Sequence, residues 1–223
     1  MTICVVEGII GAGKSTFCHK LGQTIGTNCI VMREPDEQEG NPYLDDYYTD
    51  PKKWAFTMQM HLLHERWRLY EHAKRQSEVG FTVVMDRYLW GDFAFAQTVH
   101  SLGIMSSREF ETYKKCYSNI IKYVKPPEVM IYLQVNPHIA YQRVKQRMVD
   151  TPTRECEKGV DLMYLRTLET YVTKTLDSSR IVFGQQELGY MNLPWSTQNP
   201  SEMVWDRTLN DVMELINYHR VVK

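Results

Sequence analysis

A glycine-rich segment near the start of the chain constrains its fold more than any other feature does. Residues 8–16 read GIIGAGKST, which places the spacing G-x-x-x-x-G-K-S between an apolar run and a helical pattern. In such a loop the glycines let successive backbone N–H groups turn inward around a polyphosphate, and the dipole of the following helix adds positive charge. The segment therefore predicts a phosphate-binding loop that leads from a strand into a helix. An ordinary glycine-rich turn is the alternative.

The side chains of this loop have predicted roles in holding a nucleotide. Lys14 is expected to reach the β- and γ-phosphates, and the Ser15 hydroxyl is expected to bind Mg²⁺. The residues expected to contact the nucleotide are Gly8, Gly11, Ala12, Gly13, Lys14, Ser15 and Thr16.

The composition and charge are those of a soluble globular protein. Apolar residues make up 43% of the 223 residues, and the formal net charge is −1. A chain of this length is expected to form one domain, over residues 1–223. The near-neutral charge gives no reason to expect a nucleic-acid polymer or an anionic membrane as a partner. No apolar stretch is long enough to span a bilayer, and a strand that starts at residue 2 leaves no room for a signal peptide.

The cysteines are scattered and do not have the spacing of a metal site. Their number, five, is odd, and none forms a C-x-x-C pair. We therefore expect reduced thiols and a cytoplasmic protein, with neither a disulfide framework nor a zinc site. The five are Cys4, Cys18, Cys29, Cys116 and Cys156.

Short β-rich apolar runs alternate with longer helical patterns along the chain. This alternation predicts a three-layer α/β/α fold, in which helices cover both faces of a five-stranded parallel sheet. The predicted strands are residues 3–7, 29–33, 81–86, 129–134 and 180–183. Residues 36–48 and 149–159 are polar and are expected to be loops, and residues 184–200 form an irregular stretch with no assigned role.

Capping residues mark the starts of several helices. Asp50 followed by Pro51 predicts a helix over residues 52–78, because Asp caps helices and Pro is favoured at the first helical position. Ser106 with Glu109 is a capping box that predicts a helix to about residue 123. Further helices are predicted over residues 137–148, 160–176 and 201–217.

Charged residues stand at the ends of the second and third predicted strands. Glu34 follows the second strand, Asp86 ends the third, and Arg87 comes directly after it. Because ligands bind outside the carboxyl ends of parallel strands, these groups are expected to converge on the phosphate loop. Glu34 is then the candidate base for an acceptor hydroxyl, Asp86 resembles a Walker-B acid that helps to hold Mg²⁺, and Arg87 would orient the acceptor or the base. The alternative is that each group is a solvated strand end.

Arginines precede the charged loop that follows the fourth predicted strand. Arg143 and Arg147 are one helical turn apart, on the same face of a predicted helix. Together with Arg154 they could close over the γ-phosphate during transfer, as part of a lid over residues 143–159. A basic helix face is the alternative.

From about residue 3 to 172, these motifs together resemble those of the deoxyribonucleoside kinases. That family has a phosphate loop, a Glu-Pro after the second strand, a Tyr ahead of a W-x-F-T-x-Q helix, a (D/E)-R-S motif after the third strand, and an arginine-rich lid. The matching residues here are Glu34-Pro35, Tyr48, Trp54 to Gln59, Asp86-Arg87-Tyr88 and residues 143–157. The segment YTDPKKWAFTMQ, residues 48–59, matches the family spacing without a gap.

The resemblance implies a P-loop kinase of nucleotide salvage that transfers a phosphoryl group from ATP, with Mg²⁺, to the 5′-hydroxyl of a deoxyribonucleoside. It implies that Gln59 bonds the base, as an amide can with one donor and one acceptor. Members that accept deoxycytidine and deoxypurines pair an Arg with an Asp, here Arg66 with Asp92, so this preference is expected. Tyr48 and Glu157 are expected to hold the sugar 3′-hydroxyl. Family members are commonly homodimers, which implies a second copy as partner.

Some residues depart from the family pattern and leave other functions open. Tyr88 stands where the family usually has Ser, and D-R-Y with R-E-P at residues 33–35 is also similar to thymidylate kinases. A thymidylate-type monophosphate kinase is therefore the second hypothesis, with Arg33, Arg66 and Arg87 as candidate groups for the acceptor phosphate. A nucleotide-dependent switch is the third. It explains the phosphate loop but not the acceptor residues, and the guanine-reading N-K-x-D of GTPases is absent.

Four aromatic residues lie beside these motifs. Phe93 or Phe95 could stack on the base, although either could equally belong to the core. Trp54 and Trp67 are expected to pack in the core and not to stack on a base.

Overall fold

A parallel sheet lies at the centre of the fold. The computed structural model describes residues 2–34, 41–151, 157–196 and 201–221, and for residues 180–187 and 220–221 it describes the backbone alone. Within these residues the strands are β1 (Thr2–Glu7), β2 (Cys29–Met32), β3 (Thr82–Asp86), β4 (Val129–Gln134) and β5 (Gly189–Pro194). They form one sheet in the order β2-β3-β1-β4-β5, and every neighbouring pair is parallel. The predicted five-stranded parallel sheet is confirmed.

Helices flank the sheet. In the described part of the chain they are α1 (Lys14–Ile25), α2 (Leu44–Thr49), α3 (Pro51–Glu78), α4 (Leu89–Ser101), α5 (Ser107–Ile121), α6 (Pro137–Asp150), α7 (Leu162–Glu187) and α8 (Glu202–Val221). Helices α1 and α8 pack against each other, while α3, α4 and α5 pack together and α4 packs against α7. No helix of the described residues has the length and apolar character needed to cross a membrane.

The predicted helix starts are present. The Asp50 side chain accepts a hydrogen bond from the Lys53 N–H at 3.3 Å, and Pro51 is the first residue of α3. Both bonds of the capping box between Ser106 and Glu109 are formed at the start of α5. Several helix ends differ from the predicted ones by a few residues, as is common because the last turn of a helix frays.

The prediction of the fifth strand is wrong. Residues 180–183 belong to α7, which extends the helix predicted over residues 160–176 as far as Glu187. A short apolar run such as residues 181–183 has the same pattern in a strand and in a helix. The strand β5 lies instead inside the stretch expected to be irregular, 184–200, and its sequence GYMNLP contains Gly, Asn and Pro. Such residues are tolerated because β5 is at the edge of the sheet.

Two further expectations need correction. The segment expected to be a loop over residues 36–48 contains most of α2, whose Tyr47 is buried, while residues 35–40 lie outside the described residues. Trp67 is 36% exposed and contacts the His64 ring, so it does not pack in the core. Trp54 is half-buried beside Tyr43, with the ring centroids 5.9 Å apart.

The cysteines of the described residues are free thiols. Cys4 and Cys18 are buried, Cys29 and Cys116 are half-buried, and Cys156 lies outside the described residues. Burial raises the pKa of Cys29 to about 11 and raises the pKa values of Cys4 and Cys18 further, so these three thiols are poor nucleophiles at neutral pH.

Candidate active site

A cavity of about 520 Å³ lies at the carboxyl ends of β1, β2 and β3. The cavity is a consequence of the sheet topology. The phosphate loop follows the central strand β1, and the carboxyl ends of β3 and β2 lie on one side of that strand. Among its lining residues are twelve that the sequence predicts for the site. These are Gly11, Lys14, Ser15, Thr16, Glu34, Tyr48, Gln59, Arg66, Asp86, Arg87, Arg147 and Glu157.

The phosphate loop has the geometry that its glycines require. Gly11 has a φ of +78°, and a Cβ there would lie 2.5 Å from the Ala140 carbonyl oxygen, so a larger residue would not fit. Gly13 precedes α1 and forms no side-chain cap, which leaves the first N–H groups of the helix available for an anion. The Lys14 side chain is buried, and its Nζ lies 3.4 Å from the Ile9 carbonyl oxygen. Burial, and then Arg87, lower the pKa of Lys14.

Ser15 and Asp86 form the part of the site that fits a magnesium ion. The Ser15 hydroxyl donates to Asp86 Oδ2 at 2.6 Å. The other carboxylate oxygen, Asp86 Oδ1, is buried and has no hydrogen-bond partner among the described residues. Mg²⁺ prefers oxygen ligands from one or two protein groups together with phosphates, so an unpaired carboxylate oxygen beside the phosphate loop suits it.

Glu34 lies between two guanidinium groups. Its Oε1 accepts hydrogen bonds from Arg66 Nη2 and from Arg87 Nε, the second at 2.9 Å. Burial alone would raise the pKa of Glu34, but Arg87 and Arg66 together hold it below its usual value. The carboxylate is therefore ionised at neutral pH, as an acceptor of a proton must be.

The pair predicted between Arg66 and Asp92 is formed. Arg66 Nη1 donates to Asp92 Oδ1, and the Tyr113 hydroxyl donates to Asp92 Oδ2. Asp92 is fully buried and does not line the cavity, so it acts on the cavity only through Arg66. Burial raises the pKa of Asp92, although Arg66 opposes that rise. No motif in the sequence marks Tyr113, because its contact joins α5 to α4.

Gln59 points a free amide into the cavity. The residue is 0% exposed, and neither its oxygen nor its nitrogen has a hydrogen-bond partner among the described residues. Leaving both atoms unpaired is costly unless a ligand or water meets them. A planar group with one donor and one acceptor would satisfy both.

Tyrosines and an ion pair also line the cavity. Arg147 donates to both carboxylate oxygens of Glu157 at 2.7 Å. Tyr48 packs on Gly159, where a Cβ would lie 2.9 Å from the tyrosine ring. Tyr47 also lines the cavity, and burial raises its pKa to about 12 although a bond with Tyr164 opposes this. Tyr48 and Glu157 thus occupy one side of the cavity as a hydroxyl and a carboxylate.

Arg143 lies behind the phosphate loop. Its guanidinium donates to the carbonyl oxygens of Ala12 at 3.1 Å, Gly11 at 3.4 Å and Trp195 at 3.2 Å, and burial lowers its pKa. Arg143 does not line the cavity, and neither do Gly8, Ala12 and Gly13. Arg154, the third predicted lid arginine, lies outside the described residues, as does Pro35.

The two candidate stacking residues differ in position. Phe95 lines the cavity, and the Arg87 guanidinium carbon lies 4.4 Å from its ring centroid. Phe93 stacks on Tyr117 instead, with the centroids 4.8 Å apart, and does not line the cavity. Of the two, Phe95 is therefore the one able to meet a bound base.

The fold is that of a P-loop kinase. It is defined by the parallel sheet, by the phosphate loop after the central strand, and by the charged residues at the ends of β2 and β3. A family model described as deoxynucleoside kinase matches residues 3–219. The chain belongs to the deoxynucleoside kinase family.

Individual relatives support the family assignment. The chain is 34% identical over 167 residues to a deoxyadenosine kinase of Dictyostelium discoideum, which covers 75% of this chain and 63% of the relative. The chain thus spans less than two thirds of that protein's length. It is 30% identical over 223 residues to a deoxyguanosine kinase of Lactobacillus acidophilus, with 96% and 92% of the two chains covered.

A solved structure has the same fold. The structure of a deoxyadenosine kinase from M. mycoides with bound dATP aligns with a TM-score of 0.77, covering 96% of this chain and 100% of that one. The sequence identity is 24%, so this likeness concerns the fold alone.

Proposed function

We propose that the protein transfers the γ-phosphoryl group of ATP to the 5′-hydroxyl of a deoxyribonucleoside, giving ADP and the nucleoside 5′-monophosphate. One observation carries this proposal: a phosphate loop and a buried, unpaired amide, Gln59, open into the same cavity. The cavity volume, about 520 Å³, is in the range of small-molecule sites. A nucleoside base on Gln59 would direct its sugar towards the loop.

The donor side follows from the loop. Lys14 and the N–H groups of residues 11–16 would hold the β- and γ-phosphates and neutralise charge on the transferred group. Ser15 and Asp86 would hold a magnesium ion, which when bound neutralises charge on the phosphates. Arg147 would approach the transferred group from the lid. Arg143, which was also expected there, would instead hold the phosphate loop through the carbonyl oxygens of Gly11 and Ala12.

The acceptor side follows from Glu34 and Arg87. The 5′-hydroxyl would donate to Glu34, which takes the proton as the hydroxyl oxygen bonds to phosphorus. Because two guanidinium groups lower the pKa of Glu34, it is a weak base, and proton transfer is expected late, after the phosphorus–oxygen bond to ADP has lengthened. Arg87 would orient Glu34, to which it already donates.

The substrate preference is proposed to be for deoxypurines and deoxycytidine. The pair of Arg66 and Asp92 would hold a guanidinium group beside Gln59, where it could donate to the edge of a base. The relatives named above are a deoxyadenosine and a deoxyguanosine kinase, which agrees with this proposal. Tyr48 and Glu157 would bond the 3′-hydroxyl and so select against sugars that lack it.

A thymidylate-type monophosphate kinase is supported less well. It needs free cations for the acceptor phosphate, and Arg33 does line the cavity with an exposed side chain. However, Arg66 and Arg87 are already paired with carboxylates. A nucleotide switch would leave the unpaired Gln59 without a role.

One assay separates these functions. The protein is incubated with Mg-ATP and, in separate reactions, each of the four deoxynucleosides, thymidylate or buffer, and the products are identified by mass spectrometry. A nucleoside monophosphate is the expected product. A diphosphate made only from thymidylate would favour the monophosphate kinase, and ADP formed without a phosphorylated acceptor would favour the switch.

The assembly and location implied by the resemblance are also proposals. We propose a cytoplasmic protein that forms a homodimer. Size-exclusion chromatography with light scattering should then give a mass of about twice the chain mass of 26.3 kDa. A mass of one chain across the working concentration range would contradict the dimer.

A further inference from the structure

Glu7 ends the central strand with a charged side chain that is 0% exposed, directly before the phosphate loop. A buried carboxylate needs partners, because an unpaired buried charge is strongly destabilising. The Tyr88 N–H donates to Glu7 Oε1 at 2.7 Å, and Arg87 Nη1 donates to Oε2 at 3.4 Å. Burial raises the pKa of Glu7, and Arg87 is the main influence that opposes the rise. Glu7 does not line the cavity, so these contacts are its route to the site.

The backbone of Arg87 has a conformation that needs support. Its φ is +77°, in the left-handed region that residues with side chains seldom adopt. Two hydrogen bonds to β1 hold this turn: the Arg87 N–H donates to the Val6 carbonyl oxygen at 3.0 Å, and the next N–H donates to Glu7. Glu7 therefore contacts both the side chain of Arg87 and the backbone that aims it.

Gly91 leaves the space that the Glu7 carboxylate fills. A Cβ at Gly91 would lie 2.5 Å from Oε1 and 2.6 Å from Oε2 of Glu7. Any larger residue at position 91 would force the carboxylate out of the place where it accepts from Arg87 and Tyr88. The Glu7 carboxylate on β1 thus packs directly against the backbone of α4 at Gly91.

From these contacts, and resting on the function proposed above, we infer that Glu7 is a positioning residue for phosphoryl transfer. It holds Arg87 in the turn from which the Arg87 Nε donates to Glu34. Glu7 does not line the cavity, and its effect on the reaction is expected to pass mainly through Arg87.

A double-mutant cycle tests this inference. Glu7→Gln keeps an acceptor for the Tyr88 N–H and removes only the charge that faces Arg87. We expect kcat to fall about tenfold while the KM for Mg-ATP changes by less than about twofold. In an Arg87→Met background, the same Glu7 change should lower kcat by less than about twofold, because the residue that it positions is gone. Equal losses in both backgrounds would overturn the inference.

A second variant disturbs the contact between Glu7 and Arg87 without changing either residue. Gly91→Ala should displace the carboxylate and lower kcat about as much as Glu7→Gln, again only when Arg87 is present. Thr82→Val serves as the control, because Thr82 is a buried polar residue at the far end of the neighbouring strand and should leave kcat unchanged. If Glu7→Gln does not fold, the Gly91→Ala cycle decides, and full activity of Gly91→Ala would overturn the inference.

The failure of the proposed function gives a different result. A wild-type protein that forms no nucleoside monophosphate contradicts the function, and the role of Glu7 falls with it. A wild-type protein that forms the product while the two cycles are additive contradicts the role of Glu7 alone.

Discussion

Glu34 and Arg66 form an ion pair in the wall of the cavity, although Glu34 follows β2 and Arg66 lies in the middle of α3. The same guanidinium also pairs with Asp92 on α4. The residues proposed to select the base are thus in direct contact with the carboxylate proposed to accept the proton. A substitution at Arg66 or Asp92 is therefore expected to alter the rate of transfer as well as the base preference.

Replacing Glu34 by Gln should lower kcat by about 100-fold or more, with a much smaller effect on the KM for the nucleoside. The amide cannot take the proton of the 5′-hydroxyl, whereas most of the binding contacts remain. Steady-state kinetics with each accepted deoxynucleoside give both constants. Glu65→Gln is the matched control, because within the described part of the chain Glu65 pairs only with the exposed Arg68 on the same helix. Activity within a few-fold of wild type would rule out Glu34 as the base.

The double variant Arg66→Met with Asp92→Ala should shift the base preference. We expect kcat/KM for deoxyadenosine, deoxyguanosine or deoxycytidine to fall at least about tenfold relative to thymidine, because the donor beside Gln59 is lost. Because Arg66 also contacts Glu34, a smaller loss common to all substrates should accompany the shift. Arg68→Met changes an exposed arginine two residues along α3 and should leave the preference as it is. An unchanged preference in the double variant would place the base elsewhere.

Removing the Ser15 hydroxyl should change the dependence on magnesium. Ser15→Ala should raise the Mg²⁺ concentration needed for half-maximal activity about tenfold or more, because one oxygen beside Asp86 is lost. Magnesium titrations at saturating ATP measure this. Thr24→Ala, an exposed hydroxyl on the same helix, should have the wild-type dependence. Equal curves for the two variants would contradict the assigned metal site.

The low pKa of Glu34 has a consequence for stability. A carboxylate whose pKa is lower in the folded than in the unfolded protein stabilises the fold above its unfolded pKa, about 4.3, and this contribution disappears as the pH falls through the folded value. Glu34→Gln should therefore lower the free energy of unfolding at pH 7 by about 1–3 kcal/mol. The difference should narrow below about pH 4. Urea unfolding at both pH values measures it, and an equal difference at both would contradict the ion pair.

The central part of this site could be predicted from the sequence because the topology of a parallel sheet determines it. Once the phosphate loop is assigned to the first strand, charged residues after neighbouring strands must lie beside it, and Glu34, Asp86 and Arg87 do. Gln59 and Arg66 were predicted from the resemblance to the family, whose spacing residues 48–59 match without a gap. The separation of seven residues brings Gln59 and Arg66 to the same face of α3. The prediction of the fifth strand failed because β5, an edge strand that contains Gly, Asn and Pro, has little apolar pattern.

Contacts between residues that no motif marks could not be predicted. Tyr88, which departs from the family motif, is 1% exposed, and its hydroxyl donates to the Lys125 carbonyl oxygen at 2.5 Å. The Tyr70 hydroxyl accepts a hydrogen bond from the Lys125 N–H at 2.9 Å. Two tyrosines therefore hold the segment before β4 in place. Glu7 offered one signal, a charge at the end of an apolar strand, but its contact with Arg87 spans 80 residues.

A crystal structure of the protein with ADP, Mg²⁺ and deoxyadenosine would show whether the acceptor hydroxyl lies between Glu34 and the phosphate loop. We expect the 5′-oxygen within hydrogen-bond distance of a Glu34 carboxylate oxygen, facing the terminal phosphate position above Lys14, with the base edge on Gln59. A nucleoside bound away from this gap, or a Glu34 side chain turned away from the 5′-oxygen, would contradict it.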